Sequence, residues 1–317
     1  LSMGQTLTEI AQTLKDANKK VQLIYAFNGT GKTRLSREFK RLIAPKNTET
    51  EELEDAKAKI LYYNAFTEDL FYWDNDLNAD TNRKLKIQPN SFTDWVFRDQ
   101  GQENNIITHF QHYTSDKLMP KFNERFNEIT FSIAAGNENT IDNIKISKSC
   151  LIWCVFYSLL AQVVEVLNIA EPADRETDKF NDLKYIFIDD PVSSLDENHL
   201  IELAVNLADL IKKSNGLQFI ISTHNPLFYN VLHNELKNLL YDNNRKKASC
   251  YMLNKKEDGT YDIQMKKGDS NKSFSYHLHL IQTIQDAIAT NSIQKYHFML
   301  LRNLYENSQL LRLSTLV

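Results

Sequence analysis

The sequence predicts an α/β protein: a mainly parallel sheet with flanking helices, followed by a smaller, mostly helical C-terminal region. Three observations predict it. Runs of β-branched and aromatic residues without polar alternation recur, as in "VQLIYAF", "LKYIFIDD" and "LQFIISTH". Each is followed by a turn and then by apolar residues at helical spacing, the alternation that builds strand-helix-strand units. The chain has 317 residues, 42% hydrophobic and 25% charged, enough for one large domain or two ordinary ones.

In order, residues 5 to 17 place Leu7, Ile10, Ala11 and Leu14 at helical spacing, and "VQLIYAF" follows as a buried strand. "TRLSREFKRLI" is a helix ended by Ala44-Pro45, and the acidic "NTETEELEDAKA" is a solvated segment. "KILYYNAF" is a second strand. Residues 66 to 148 are mixed, with strand-like "ITFSI" and "NIKIS". "LIWCVFYSLLAQVVEVLNI" is apolar nearly all round, as in a helix packed inside a domain. Strand "LKYIFIDD", helix "ENHLIELAVNLADLIKKS" and strand "LQFIISTH" complete the alternation. A hairpin turning at Asp258-Gly259 and two helices, "FSYHLHLIQTIQDAIA" and "YHFMLLRNLYENSQLL", make up the last part. The expected boundary is near 240, giving units 1–240 and 241–317.

Composition excludes some classes of function. No apolar run is expected to approach the ~18 residues of a membrane span. The polar N-terminus reads as neither a signal nor a transit peptide. Three cysteines, Cys150, Cys154 and Cys250, form no C-x-x-C pair. That points to a reducing, cytoplasmic setting rather than disulfides or zinc. A formal charge of −4 means that any polyanion must be held by a local patch. One candidate patch runs from Arg245 to Lys272, with eight basic residues against four acidic.

The stretch "AFNGTGKT" nearly fits the phosphate-binding loop G-x-x-x-x-G-K-[ST], with Ala26 in place of the first glycine. Gly29 and Gly31 let the backbone curl so that N–H groups from Asn28 to Thr33, Thr30 among them, converge on phosphate oxygens. Lys32 supplies charge for the β- and γ-phosphates, and the Thr33 hydroxyl is placed to ligate Mg²⁺. In "YIFIDDPVSSLD", Asp189 at the strand end can hold the same Mg²⁺. Asp190 can orient or polarise an attacking water. In "FIISTHNP", His224 ends another strand, where an imidazole can sense a γ-phosphate.

These three motifs, in this order, resemble the ABC-type ATPase fold in its SMC-like branch. The resemblance implies nucleotide sandwiched between two heads, hence a nucleotide-dependent homodimer, with Asp196 in the D-loop. It implies a signature serine, for which Ser147 in "NIKISKSC" is the candidate, and a Q-loop residue near the metal, for which Asn64 is the candidate. About 150 residues separate Thr33 from Tyr185, without a sustained heptad pattern, which disfavours a coiled-coil DNA tether.

Longer blocks, "VQLIYAFNGTGKTRLSREFK", "ILYYNAFTEDLFYWDNDL", "GDSNKSFSYHLHL" and "YHFMLLRNLYE", resemble the PrrC-type anticodon nucleases over most of the chain. That resemblance implies a phage-defence ribonuclease cleaving tRNA-Lys 5′ to the wobble base. It would be held latent by a type I restriction-modification complex and released by ATP or GTP turnover with Mg²⁺. The family's catalytic Arg-x-x-x-Glu matches Arg302 and Glu306, one helical turn apart, a pair able to act without metal. Spacing alone would make them an ordinary surface salt bridge. The family's third catalytic residue, a histidine further on, has no counterpart in "NSQLLRLSTLV", and full nuclease activity is not expected of the sequence as it stands. The resemblance assigns Asp269 to the modified wobble uridine, with Ser270 and Asn271 beside it; a helix-capping turn accounts for the same residues. Two alternatives remain at this point: an ABC-type sensor stimulated by DNA, and a docking subunit that only relays nucleotide state.

Overall fold

The computed structural model describes residues 4–45, 59–64, 71–74, 84–87, 97–98, 101–114, 117–133, 148–191, 197–240 and 247–266, with 284–285, 288–289 and 293 beyond. Ten strands are described: β1 (Val21–Tyr25), β2 (Ile60–Asn64), β3 (Phe71–Asp74), β4 (Lys84–Ile87), β5 (Leu118–Phe122), β6 (Glu128–Ile133), β7 (Tyr185–Asp189), β8 (Gln218–Thr223), β9 (Ala248–Lys255) and β10 (Tyr261–Lys266). The helices are α1 (Leu7–Asp16), α2 (Lys32–Ile43), α3 (Glu103–Tyr113), α4 (Lys148–Asn168), α5 (Glu197–Lys213), α6 (Pro226–Glu235) and α7 (Lys237–Leu240).

The main sheet has the order β10-β9-β1-β8-β7-β2, and a smaller sheet runs β3-β4-β6-β5. In the main sheet β1 pairs in parallel with β8 and β9, and β7 with β8 and β2. Every residue of β1, β7 and β8 is buried, as expected where helices cover both faces of a parallel sheet. The smaller sheet is antiparallel, and β5 alternates buried and exposed residues, so one face is solvated.

Thr6 caps α1 in a reciprocal capping box with Glu9, which fixes where the helix starts. Its buried stripe, Ile10, Ala11 and Leu14, joins Leu35 and Phe39 of α2 and Ile24, Phe187 and Ile220 of the sheet in one core cluster. This packing anchors the turn between β1 and α2. Within α4, Cys150–Asn168 has a mean hydropathy of 2.0 and is long and apolar enough to cross a membrane. That corrects the expectation that no such run exists: Ser158 and Gln162 break the apolar run in sequence without lowering its average enough. In this fold 67% of that span is buried, and Trp153 meets Tyr63 of β2 edge-on with ring centroids 5.0 Å apart.

The first compact unit runs to Met265 and the second from Lys266 to Val317. The β9–β10 hairpin, grouped by the sequence with the C-terminal region beyond 240, is the edge of the main sheet. Its first strand is held by five successive parallel pairings from Val21↔Ala248 to Tyr25↔Met252. Of the second unit, Lys266 and the scattered positions from 284 to 293 are described, the pairs 284–285 and 288–289 being helical.

Candidate nucleotide site

Three neighbouring strands, β1, β8 and β7, end side by side, and each delivers one of the sequence motifs. The register pairs Tyr25 with Thr223, Asp189 with Ser222 and Asn64 with Asp189. The carboxyl ends of parallel strands are where ligands bind in open α/β sheets.

Ala26 stands where the loop pattern has glycine. Its N–H donates to the Thr223 carbonyl at 3.0 Å, its side chain is fully buried, and its backbone is not left-handed. A methyl group is therefore no obstacle there. Gly29 and Gly31 differ, with φ of +81° and +97°. A Cβ on Gly31 would lie 3.1 Å from Cε1 of Tyr261, whereas one on Gly29 would meet nothing within 4 Å. Gly31→Ala is thus expected to cost about 1–3 kcal/mol of stability. Gly29→Ala should cost less, its strain being backbone alone. Paired denaturant titrations check the order.

Lys32 opens α2 and is 6% exposed. Its ammonium donates to the carbonyls of Ala26 at 3.2 Å and Phe27 at 3.3 Å, and to Asn28 Oδ1 at 3.4 Å. It also lies 3.8 Å from Asp190 Oδ2. Burial lowers its pKa, with Asp190 and Asp189 opposing. The Thr30 hydroxyl donates back to Phe27 O at 2.6 Å and tightens the turn.

Asp189 ends β7 and is fully buried. Its Oδ1 accepts from Ser222 Oγ at 2.7 Å, while Oδ2 is buried without a hydrogen-bond partner. Burial raises its pKa, and the Ser222 and Thr33 side chains pull the other way. A buried carboxylate oxygen lacking a donor is costly unless a cation or a water takes it up. With the Thr33 hydroxyl acting on the same carboxyl, this is an oxygen donor set of the kind a hard divalent cation prefers. Among the described residues no group of three His, Cys, Asp or Glu forms a closed metal cage.

Asp190 is the most constrained residue of the site. Its φ is +52°, a left-handed conformation that Asp tolerates better than most residues. Its N–H donates to Ser222 O at 2.7 Å. Oδ1 accepts from Thr223 Oγ1 and from the His224 N–H, both at 3.3 Å. Oδ2 meets His224 Nδ1 at 2.5 Å. Burial alone would raise this carboxyl; the His224 bond and charge, with Lys32, outweigh it and hold its pKa below the usual range. The sequence placed Asp190 and His224 in separate roles. The fold joins them into one pair, with Nε2 of the imidazole making no hydrogen bond among the described residues.

The remaining predicted residues are less fully placed. Asn64 ends β2 beside Asp189, and only its backbone is described. Ser147, Asp196, Asp269, Ser270, Asn271, Arg302 and Glu306 lie outside the described residues.

The sequence profile of the AAA domain matches residues 166–306. A protein of Escherichia coli named anticodon nuclease is 57% identical over 335 aligned positions, which cover 96% of this chain and 82% of that protein. Among solved structures, an SMC head bound to the C-terminal winged-helix domain of ScpA aligns at 10% identity and a TM-score of 0.38, covering 80% of this chain and 91% of that one. The SMC head domain of Thermotoga maritima aligns at 13% identity and a TM-score of 0.31, covering 78% and 90%. At 57% identity over nearly its whole length, this chain belongs to the anticodon nuclease family.

Proposed function

We propose that this chain is a nucleotide-gated endoribonuclease that cleaves tRNA-Lys in the anticodon loop, 5′ to the wobble base. The observation that carries the reading is the 57% identity to the E. coli anticodon nuclease across 96% of the chain. The arrangement of Lys32, Asp189, Asp190 and His224 at adjoining strand ends supports the nucleotide-dependent half.

In this reading Asn28 to Thr33 hold the phosphates of ATP or GTP. Thr33 and Asp189 hold the accompanying Mg²⁺, which neutralises phosphate charge when bound. Asp190 orients or polarises the attacking water and fixes the His224 imidazole, which senses the γ-phosphate. Two chains sandwich the nucleotide, with Ser147 and Asp196 supplied across the dimer. Hydrolysis frees a nuclease otherwise silent beside a type I restriction-modification complex in phage defence.

For RNA cleavage, Glu306 takes the proton of the ribose 2′-OH, whose oxygen attacks the adjacent phosphorus. The P–O5′ bond breaks and O5′ takes up a proton from water, leaving a 2′,3′-cyclic phosphate and a 5′-hydroxyl. Arg302 steadies the charge on the phosphorane, and no metal takes part. Asp269, with Ser270 and Asn271, faces the modified wobble uridine. Arg302→Ala in the full-length chain is expected to lower cleavage about 10²- to 10³-fold and to leave NTP turnover intact. Mapping of cut ends in total tRNA checks both the site and the cyclic phosphate. Equal cleavage by wild type and variant would remove Arg302 from the mechanism.

A further inference from the structure

A groove of 490 Å³ lies between the start of α1, the outer face of α2 and the turn joining β9 to β10. Three arginines line it, Arg34, Arg37 and Arg41, at positions i, i+3 and i+7 of α2. Helical rise spreads them over about 10 Å on one face.

The three are not equivalent. Arg41 Nη1 is 2.8 Å from Glu38 Oε1, and Glu38 Oε2 accepts from Thr8 Oγ1 at 3.4 Å. The single carboxylate lining the groove is therefore already used, pinning α1 to α2. Arg34 and Arg37 are exposed and make no hydrogen bond or ion pair among the described residues. Two like charges three residues apart on a helix repel each other, and the nearest carboxylate on the wall, Glu38, has its hydrogen bonds with Arg41 and Thr8.

The lining also says what kind of anion fits. Pockets for a mononucleotide are mostly apolar and offer a face for the base. Here Tyr261 is the aromatic group on the wall and is 6% exposed, so it presents no stacking surface. A row of guanidiniums without a base platform matches a sugar-phosphate backbone.

We propose that Arg34 and Arg37, with Arg41 beside them, form a contact surface for the phosphate backbone of the tRNA substrate. The proposal rests on the tRNA nuclease reading above and names where on the nucleotide-binding unit that substrate is held. It also places substrate contact on the helix whose first residue is Lys32, so that tRNA and nucleotide bear on one rigid element.

The test is tRNA affinity of the full-length chain as a function of salt, for wild type and for Arg34→Ala/Arg37→Ala. Each lost phosphate contact reduces the slope of log K against log[salt] by about 0.7–0.9, so a reduction of about 1.5 is expected. At 0.15 M salt the affinity should fall about ten-fold or more. The double Arg→Lys variant should keep most of the slope, because point charges still release counterions. An unchanged slope in the alanine variant, with tRNA still cut by wild type, overturns this surface and leaves the nuclease reading standing. Loss of ATP or GTP binding with tRNA affinity intact would overturn it too, by making the groove part of a mononucleotide site. A wild-type chain that neither binds nor cuts tRNA overturns both.

Discussion

Asp190→Asn is expected to lower NTP turnover by about 10²–10⁴-fold, the range for losing a positioned acid-base group, with nucleotide affinity changed far less. Asn has nearly the shape of Asp and also tolerates the left-handed backbone at φ +52°, so the turn should survive. What changes is charge and hydrogen-bond direction. The carboxylate accepts from His224 Nδ1, from the His224 N–H and from Thr223, and offsets the Lys32 ammonium. An amide cannot balance the ammonium. If its NH₂ faces Nδ1, it forces the imidazole into the other tautomer, with the proton on Nε2.

The same substitution has a pH signature. A carboxyl whose folded pKa lies below its unfolded value of about 3.9 contributes stability that is present above that unfolded value. This contribution is lost as pH falls through the folded value. Asp190 is such a group. Acid unfolding of Asp190→Asn should accordingly be shallower than that of wild type below about pH 4, where wild type must protonate a paired carboxylate. Stopped-flow phosphate release and acid titration followed by circular dichroism check the two halves. Turnover within three-fold of wild type would show that His224 needs no partner.

The sequence made the ingredients of this site legible because each has a local signature. The glycines and lysine of the phosphate loop, the paired aspartates and the Ser-Thr-His run each directly follow an apolar strand, and the structure puts each at a strand end. The Asp190–His224 pair was not legible. It depends on β8 lying between β1 and β7, which long-range pairing decides and local pattern does not record. The hairpin was misgrouped for a related reason. The polar stretch before Ala248 reads as a boundary, while the parallel pairing of β9 with β1 joins positions more than two hundred residues apart. Periodicity placed α1, α2 and β7 to within a few residues, since burial and turn residues agree there. The groove arginines escaped attention because on sequence they are only the solvated face of an amphipathic helix.

Lys32→Ala is expected to lower nucleotide affinity about 10³-fold, a loss in the range for truncating a buried, charge-paired group. The effect on the fold should be smaller and of definite sign. Burial lowers the ammonium's pKa, so it is held at a cost, which its removal relieves. Against this, Asp189 and Asp190 lose the positive charge that opposes protonation of both. Asp190 keeps His224 and Thr223, whereas Asp189 keeps only the neutral hydroxyls of Ser222 and Thr33. The Asp189 carboxyl, already raised by burial, should therefore rise further and take up a proton first. Since its folded pKa lies above the unfolded one, stability from this group is full at low pH and is lost as pH rises through the folded value. Lys32→Ala should consequently lose more stability than wild type does as pH rises above the ordinary carboxylate value of about 3.9. Thermal midpoints measured from pH 5 to 8 check the slope, and fluorescent-nucleotide titration checks the affinity. Tight nucleotide binding by the variant would move the phosphate site away from the β1–α2 turn.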